Sequence, residues 1–323
     1  MRRAKLRKKK KGSITVPKEP GRQAGPTPPY GFMSDAEVTT IIDSAIALMA
    51  SSGVVFEPGT EADDLLRNAG CDVGPGGFVK IPEAVTRSAL KTTSRQTTLF
   101  DRNGQNSITI DREHTHFMPG MTCIAVYDQK TGEPRPSTRE DLAEITRLSD
   151  GLPNIDAVCI SVKNVAESNL FGEIDEFVCM MENTTKPLEY LCESPVSLEA
   201  VIEIATALRG SAKSLKDKPY FLHLVTPLPV QFAQIHIDQI LTSVRAGIPV
   251  GVGTLAIGGA SAPITLAGCL AHCLMTDFAA IVLGQLAGKG SFCMGGSDVF
   301  FMEPATGAIG SFTQTSMADM AAA

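Results

Sequence analysis

The residues best placed to do chemistry stand just after short apolar segments in the second half of the chain. They are Lys163 and Asn164, Glu193 and Ser194, Thr226 and Pro227, Thr254, and the run Gly295, Gly296, Ser297 and Asp298. If those segments are parallel strands, ligands bind beyond their carboxyl ends, and these positions surround one site. Glu193 and Asp298 are its two carboxylates and the catalytic candidates; for each the alternative is a helix cap or a solvated charge. His223, near the end of an apolar segment, is a candidate substrate-facing donor, against the alternative of a hydrogen-bonded core histidine.

Other clusters point to less. His114 and His116 would share a face of a strand and could bind a metal, but no third ligand is identifiable. Cys269 and Cys273 are one helical turn apart with His272 beside them, and no second ligand pair exists to complete a zinc site. The eight cysteines lack CxxC spacing and sit in apolar patterns, as reduced buried thiols do. Gly251, Gly253 and Ala256 match GxGxxA after a strand, but Gly258, Gly259 and Pro263 argue against a helix starting there. The segment reads as a flexible Gly-rich loop, with a nicotinamide-dependent oxidoreductase as the alternative. No nucleophile elbow or Walker-type loop occurs.

The elements that must position these residues follow from hydrophobic spacing. Ser34 and Glu37 form a capping box ahead of a helix through Met49; further helices are expected from Thr60 to Gly70 and from Pro82 to Thr92. Short strands are expected at Phe78–Ile81, Thr97–Phe100, Ser107–Ile110, His114–Phe117 and Cys123–Tyr127, which makes residues 30–135 an α+β portion with antiparallel pairing. From Thr138 a regular alternation begins. Strands are expected at Ala157–Val162, Leu188–Cys192, Tyr220–Val225, Pro249–Thr254 and Ser291–Met294. Helices between them run from Arg139, Leu170, Leu198, Phe232 and Ile264, and another begins near Thr313. Continuously apolar strands between helices indicate a parallel sheet covered on both faces. Residues 136–323 therefore read as a (β/α)₈ TIM-type barrel, C-terminally incomplete because five or six strands cannot close it; an open doubly wound sheet is the alternative.

Composition narrows the classes. The 323 residues are 43% apolar, enough for a sizeable core. No uninterrupted apolar run reaches the roughly 18 residues of a membrane span, and Ala262 to Gly288 carries His272 and Asp277. Eight of the 29 Lys and Arg fall in residues 1–11, leaving 21 basic against 35 acidic residues elsewhere. Residues 1–29 therefore read as a basic disordered tail and linker on an acidic body that would repel nucleic acid. A cytoplasmic protein without a membrane partner is expected.

In their order, several stretches resemble the trimethylamine methyltransferase family, the corrinoid-dependent methyltransferases that include glycine betaine methyltransferases. They are VYDQKTGEPRPSTREDLAEITRLSDGLPNID (126–156), ENTTKP (182–187), RAGIPVGVGTLAIGGASAPITLAGCLAH (245–272), IVLGQLAGKG (281–290) and GSDVFFMEPATGAIGS (296–311). The resemblance implies a (β/α)₈ barrel that transfers a methyl group from a methylated amine to the cobalt of a corrinoid carried by a separate protein. No tightly bound cofactor of its own and a homo-oligomeric state are expected. In the trimethylamine enzymes a pyrrolysine lies beyond the point where this chain stops, and many relatives lack it. Holding a cationic amine asks for carboxylates and aromatic faces. Glu193 and Asp298 would supply the charge, Tyr190, Phe292, Phe300 and Phe301 the aromatic surface, and His223, Thr254 and Ser297 polar contacts. The absence of Trp and an aromatic content of 6% leave such a cage thin. A non-catalytic subunit that binds an amine or docks the corrinoid protein is the alternative of a different class.

Overall fold

The structure, a computed structural model, describes residues 33–167 and 169–310. The expected basic tail and the helix expected near Thr313 lie outside the described residues. In the N-terminal part, helix α1 (Asp35–Ser51) starts at the expected capping box, with Glu37 N–H donating to Ser34 Oγ at 3.3 Å and Ser34 N–H to Glu37 Oε2 at 2.8 Å. It is followed by β1 (Val54–Phe56), α2 (Glu61–Asn68), β2 (Asp72–Val73), β3 (Phe78–Lys80) and α3 (Glu83–Thr92). Strands β4 (Thr97–Phe100) and β5 (Ser107–Ile110) form an antiparallel hairpin, as do β6 (Ala125–Tyr127) and β7 (Pro134–Pro136).

His114–Phe117, expected as a strand, is not one. Asp111 takes the Glu113 and His114 backbone N–H groups at 2.8 and 2.9 Å, a turn that leaves no extended ladder.

The alternation after Thr138 is present. It runs α4 (Arg139–Gly151), β8 (Val158–Cys159), α5 (Leu170–Asn183), β9 (Leu188–Tyr190), α6 (Pro195–Arg209), α7 (Ala212–Asp217) and β10 (Phe221–Val225). Then come β11 (Gln231–Phe232), α8 (Gln234–Ala246), β12 (Val250–Val252), β13 (Leu255–Gly258), α9 (Leu266–Ala287), β14 (Cys293–Gly295), β15 (Asp298–Met302) and β16 (Ile309–Gly310). Phe232 thus belongs to a strand, and the helix expected from it begins two residues later. Gly247, with φ +75°, stops α8 in a conformation that a side chain disfavours.

Five parallel strands form one sheet in the order β14-β12-β10-β9-β8. Each new strand joins the same edge, so the order never reverses and has no switch point, which removes the doubly wound alternative. Helices α4, α5, α6, α8 and α9 pack successively on one another along one face. The expectation of helices on both faces is thereby corrected, because the other face borders a cavity. Among the described residues β8 and β14 do not pair, and the sheet is not closed into a barrel.

The Gly-rich segment is also corrected. Instead of a flexible loop it holds the end of β12 and all of β13, and β13 pairs in parallel with β15 in a separate three-stranded sheet.

Register assigns the faces. Tyr190, His223, Val250 and Cys293 are neighbours across the sheet and face the helices, where Cys293 packs on α9. Cys159, Glu189 and Leu222 form the adjacent row, pointing the opposite way. One apolar cluster joins Phe177, Tyr190, Tyr220, Phe221 and Leu198 between sheet and helices. A second surrounds α9 and takes in Ile46, Met49, Phe56 and Leu66 from the N-terminal part. Among the described residues α9 is the helix long and apolar enough to cross a membrane, yet 72% of its apolar window is buried inside this core.

Candidate functional site

A cavity of about 1100 Å³ lies against the helix-free face of the sheet. The β4–β5 hairpin closes the end where the strands begin: Phe100 N–H donates to Pro219 C=O at 2.8 Å and Arg102 N–H to Thr185 C=O at 2.7 Å. Residues 111–124 cross its flank beside β8, held by Thr122 N–H to Ile160 C=O at 2.7 Å and Cys123 N–H to Ser161 C=O at 3.1 Å. The opposite mouth is formed by the residues that follow the strands, and Lys163, Glu193, Thr226, Pro227, Thr254, Gly296 and Asp298 all line it.

Two glutamates one turn apart on α5 hold part of this rim. Glu173 accepts Glu193 N–H on Oε1 at 2.8 Å and the Ser197 hydroxyl on Oε2. Glu176 accepts Asn164 N–H on Oε1 at 2.9 Å and pairs Oε2 with Lys163 Nζ at 3.0 Å. Burial pushes the Glu176 carboxyl up, while Lys163 and the Asn164 N–H oppose that shift. The backbone after β8 and after β9 is therefore fixed by buried carboxylates outside the cavity. Sequence reasoning missed both; their signal was the two glutamates of GEIDEF, on the side of a helix that must pack on the sheet.

On the other side of the mouth, Thr254 Oγ1 donates to Pro227 C=O at 2.9 Å and Thr254 N–H donates to Ser297 Oγ at 3.1 Å. Ser297 in turn donates to Asp277 Oδ1 of α9 at 2.6 Å. Burial raises the Asp277 carboxyl to about 7, opposed by the Ser297 hydrogen bond. Gly295 is required there, since a Cβ would fall 2.5 Å from Asp277 Oδ2. Ser297 is consequently a buried link to Asp277 and does not reach the cavity.

Other site candidates also lie elsewhere. His223 is fully buried on the helix side, with Nδ1 2.9 Å from Ser243 Oγ and Nε2 3.6 Å from Cys192 Sγ. Burial lowers its pKa to about 3, so it is a neutral core histidine and not a substrate-facing donor. Tyr190 is equally buried, its hydroxyl donating to Glu173 C=O at 3.1 Å. Phe300 is paired through its strand with Ile257 of β13, and neither it nor Phe292 or Phe301 lines the cavity. Phe117, 62% exposed, is the one aromatic residue among the described residues that does. The aromatic surface expected from Tyr190, Phe292, Phe300 and Phe301 is not assembled here.

His114 and His116 do line the cavity. His114 Nδ1 lies 2.8 Å from Asp111 Oδ1, and His116 Nε2 lies 2.8 Å from Thr109 C=O. No group of three His, Cys, Asp or Glu side chains among the described residues is arranged to hold a metal.

Glu189, in the middle of β9, is, like Asp111, a cavity residue that sequence reasoning overlooked. It points into the cavity between Cys159 and Leu222, and its Oε2 is buried without a hydrogen-bond partner. Burial raises its carboxyl to about 7. The cavity thus gathers Asp111, Glu189, Glu193 and Asp298 against Lys163, whose charge is already engaged by Glu176.

The profile of the family described as trimethylamine methyltransferase matches residues 1–323. The chain belongs to this family. It is 29% identical, over 87% of its length, to the trimethylamine methyltransferase MttB of Desulfitobacterium hafniense and covers 58% of that protein. It is 27% identical to MttB of Methanosarcina thermophila over 81% of this chain and 57% of the relative. To a glycine betaine methyltransferase of Desulfitobacterium hafniense it is 25% identical over 84% of this chain and 56% of the relative. The chain therefore spans less than three fifths of the length of these curated relatives. A structural match to the monomethylamine methyltransferase MtmB of Methanosarcina barkeri covers 89% of this chain and 64% of that one, with 11% identity and a TM-score of 0.46.

Proposed function

We propose that the protein transfers a methyl group from a methylated amine to the cobalt of a corrinoid presented by a separate protein. The observation that carries this reading is the charge of the cavity: Asp111, Glu189, Glu193 and Asp298 face a space whose lysine is already paired. Carboxylates collected between apolar walls attract a compact cation and repel an anion, because the low surrounding dielectric leaves their field poorly screened. A methylated ammonium is such a cation, and relatives of the chain are methyltransferases for trimethylamine and glycine betaine.

The chemistry asks little proton transfer of the protein. The C–N bond breaks, its electron pair stays on nitrogen, and the methyl group leaves as a formal cation to a two-electron cobalt nucleophile. The chain's contribution is to hold the donor and aim one methyl at the open mouth. Leu191, Leu222 and Leu224 supply apolar walls, and Glu173 and Glu176 fix two strand ends. Phe117, Met118, Ile124, Leu228 and Leu255 expose an apolar collar around the cavity, which suits an acceptor arriving from outside.

The test is to incubate the full-length protein with cob(I)alamin and, separately, trimethylamine, dimethylamine and glycine betaine. Methylcobalamin formation, followed by its absorbance, is expected from at least one donor; none from any of them overturns the proposal.

A further inference from the structure

We propose that Glu189 is the counter-ion of the bound cation, and that its carboxyl group gives up a proton when the cation enters. The inference rests on the amine-binding reading of the cavity and assigns to one residue the charge that reading requires.

Three observations single out Glu189 from the other acids. It sits within β9, whereas Glu193 and Asp298 are exposed at the strand ends. Its Oε2 is buried and unpartnered, whereas Asp111 is engaged by His114 and by two backbone N–H groups. Its neighbours across the sheet, Cys159 and Leu222, offer no cation. A carboxylate oxygen deprived of water and of donors is costly, and a bound ligand can supply its missing partner.

The surrounding titratable groups leave this role to Glu189. Cys159, from β8, donates its thiol to Pro119 C=O at 3.1 Å, and its pKa is pushed up to about 12, so it stays neutral. Lys163 is held by Glu176 at 3.0 Å. Glu193 and Asp298 lie at the mouth, and Asp111, His114 and His116 belong to the crossing segment. Asp277 also titrates near 7, but it lies beneath Gly295, bonded to Ser297, and does not line the cavity.

The sign of the linkage follows. With the empty-cavity carboxyl raised to about 7, much of Glu189 is protonated at pH 6.5. A permanent cation beside it favours the ionised form, so binding releases a proton, and affinity rises with pH until the group is already ionised when the cavity is empty.

The experiment uses the full-length protein and tetramethylammonium, a cation that cannot itself titrate. Calorimetry at pH 6.5 in phosphate and in a zwitterionic buffer of larger ionisation enthalpy gives the number of protons released per cation bound. Wild type is expected to release about half a proton or more. Glu189→Gln should release none and bind at least tenfold more weakly, Glu189→Asp should restore part of the release, and Glu193→Gln should leave the release in place. Circular dichroism confirms that each variant is folded. Unchanged proton release in Glu189→Gln overturns the assignment while leaving the amine-binding reading intact. A wild-type protein that neither binds tetramethylammonium nor transfers a methyl group overturns both.

Discussion

Within the parallel strands, polar side chains are met differently on the two faces of the sheet. On the helix side His223 has Ser243 and Cys192, Tyr190 has the Glu173 carbonyl, and Glu173 and Glu176 each accept bonds on both oxygens. On the cavity side Glu189 has an oxygen with nothing to bind. A buried group with its partners in place serves the fold; one without them that also faces an open cavity, unlike the unpartnered Tyr220 hydroxyl in the core, is open to a ligand. Substitutions should therefore divide by face, with loss of stability on the helix side and loss of cation binding on the other.

The largest effect is expected on the helix side. Glu173→Leu removes the acceptor for Glu193 N–H and for the Ser197 hydroxyl, leaving two donors stranded, at a cost on the order of 4 kcal/mol. Urea denaturation measures it. A loss below about 1 kcal/mol would mean that the rim backbone after β9 is held by something else.

His223 comes next, through pH. Its folded pKa, lowered by burial to about 3, lies below the 6.5 of an exposed histidine, so the unfolded chain binds the extra proton between these values. Its contribution to stability is complete above about pH 6.5 and falls as pH drops towards 3. At pH 4 that loss is about 3 kcal/mol, and His223→Gln, which keeps a polar side chain but cannot titrate, should show a correspondingly shallower acid limb.

Glu189 carries the opposite sign. Its folded pKa of about 7 exceeds the 4.5 of an exposed glutamate, so the folded state binds more protons between these values and stability falls as pH rises through that window. Without ligand, Glu189→Gln should be about 3 kcal/mol more stable than wild type at pH 8 and no more stable at pH 4. Asp277 titrates in the same range but is present in both proteins, so its contribution cancels. Equal pH profiles for variant and wild type would show that Glu189 is solvated and would erase the distinction between the faces.

The same parity explains how much of this was legible beforehand. Capping at Ser34 with Glu37, and the spacing of apolar segments, located most helices and all five parallel strands. Assigning helices to both faces failed because the cavity wall is itself apolar: Leu191, Leu222 and Leu224 give strands that look buried on both sides. His223 was selected for its nearness to a strand end and Tyr190 for its aromatic ring, but side chains alternate along a strand, and each stands one residue out of phase with the cavity. Glu189 is in phase and is the charged residue of an otherwise apolar LEYLC segment, which was the available signal. The pairing of β13 with β15 left no such mark, because it joins segments more than forty residues apart and one of them is rich in glycine.

The smallest expected effect separates the mouth from the interior of the cavity. Glu193 and Asp298 line the rim and are exposed, so their field is screened by water and salt. During transfer the donor passes from cation to neutral amine, so a carboxylate holds the ground state at least as well as the transition state. Its removal should raise KM more than it lowers kcat. Glu193→Gln and Asp298→Asn should each raise KM about three-fold with kcat within about two-fold of wild type, and the KM effect should shrink as salt is raised from 50 to 300 mM. Glu189→Gln should raise KM at least tenfold with little salt dependence, since its partner is bound out of reach of the ionic atmosphere. A rim variant that instead abolishes kcat would place the reacting nitrogen at the mouth and move the site outward from β9.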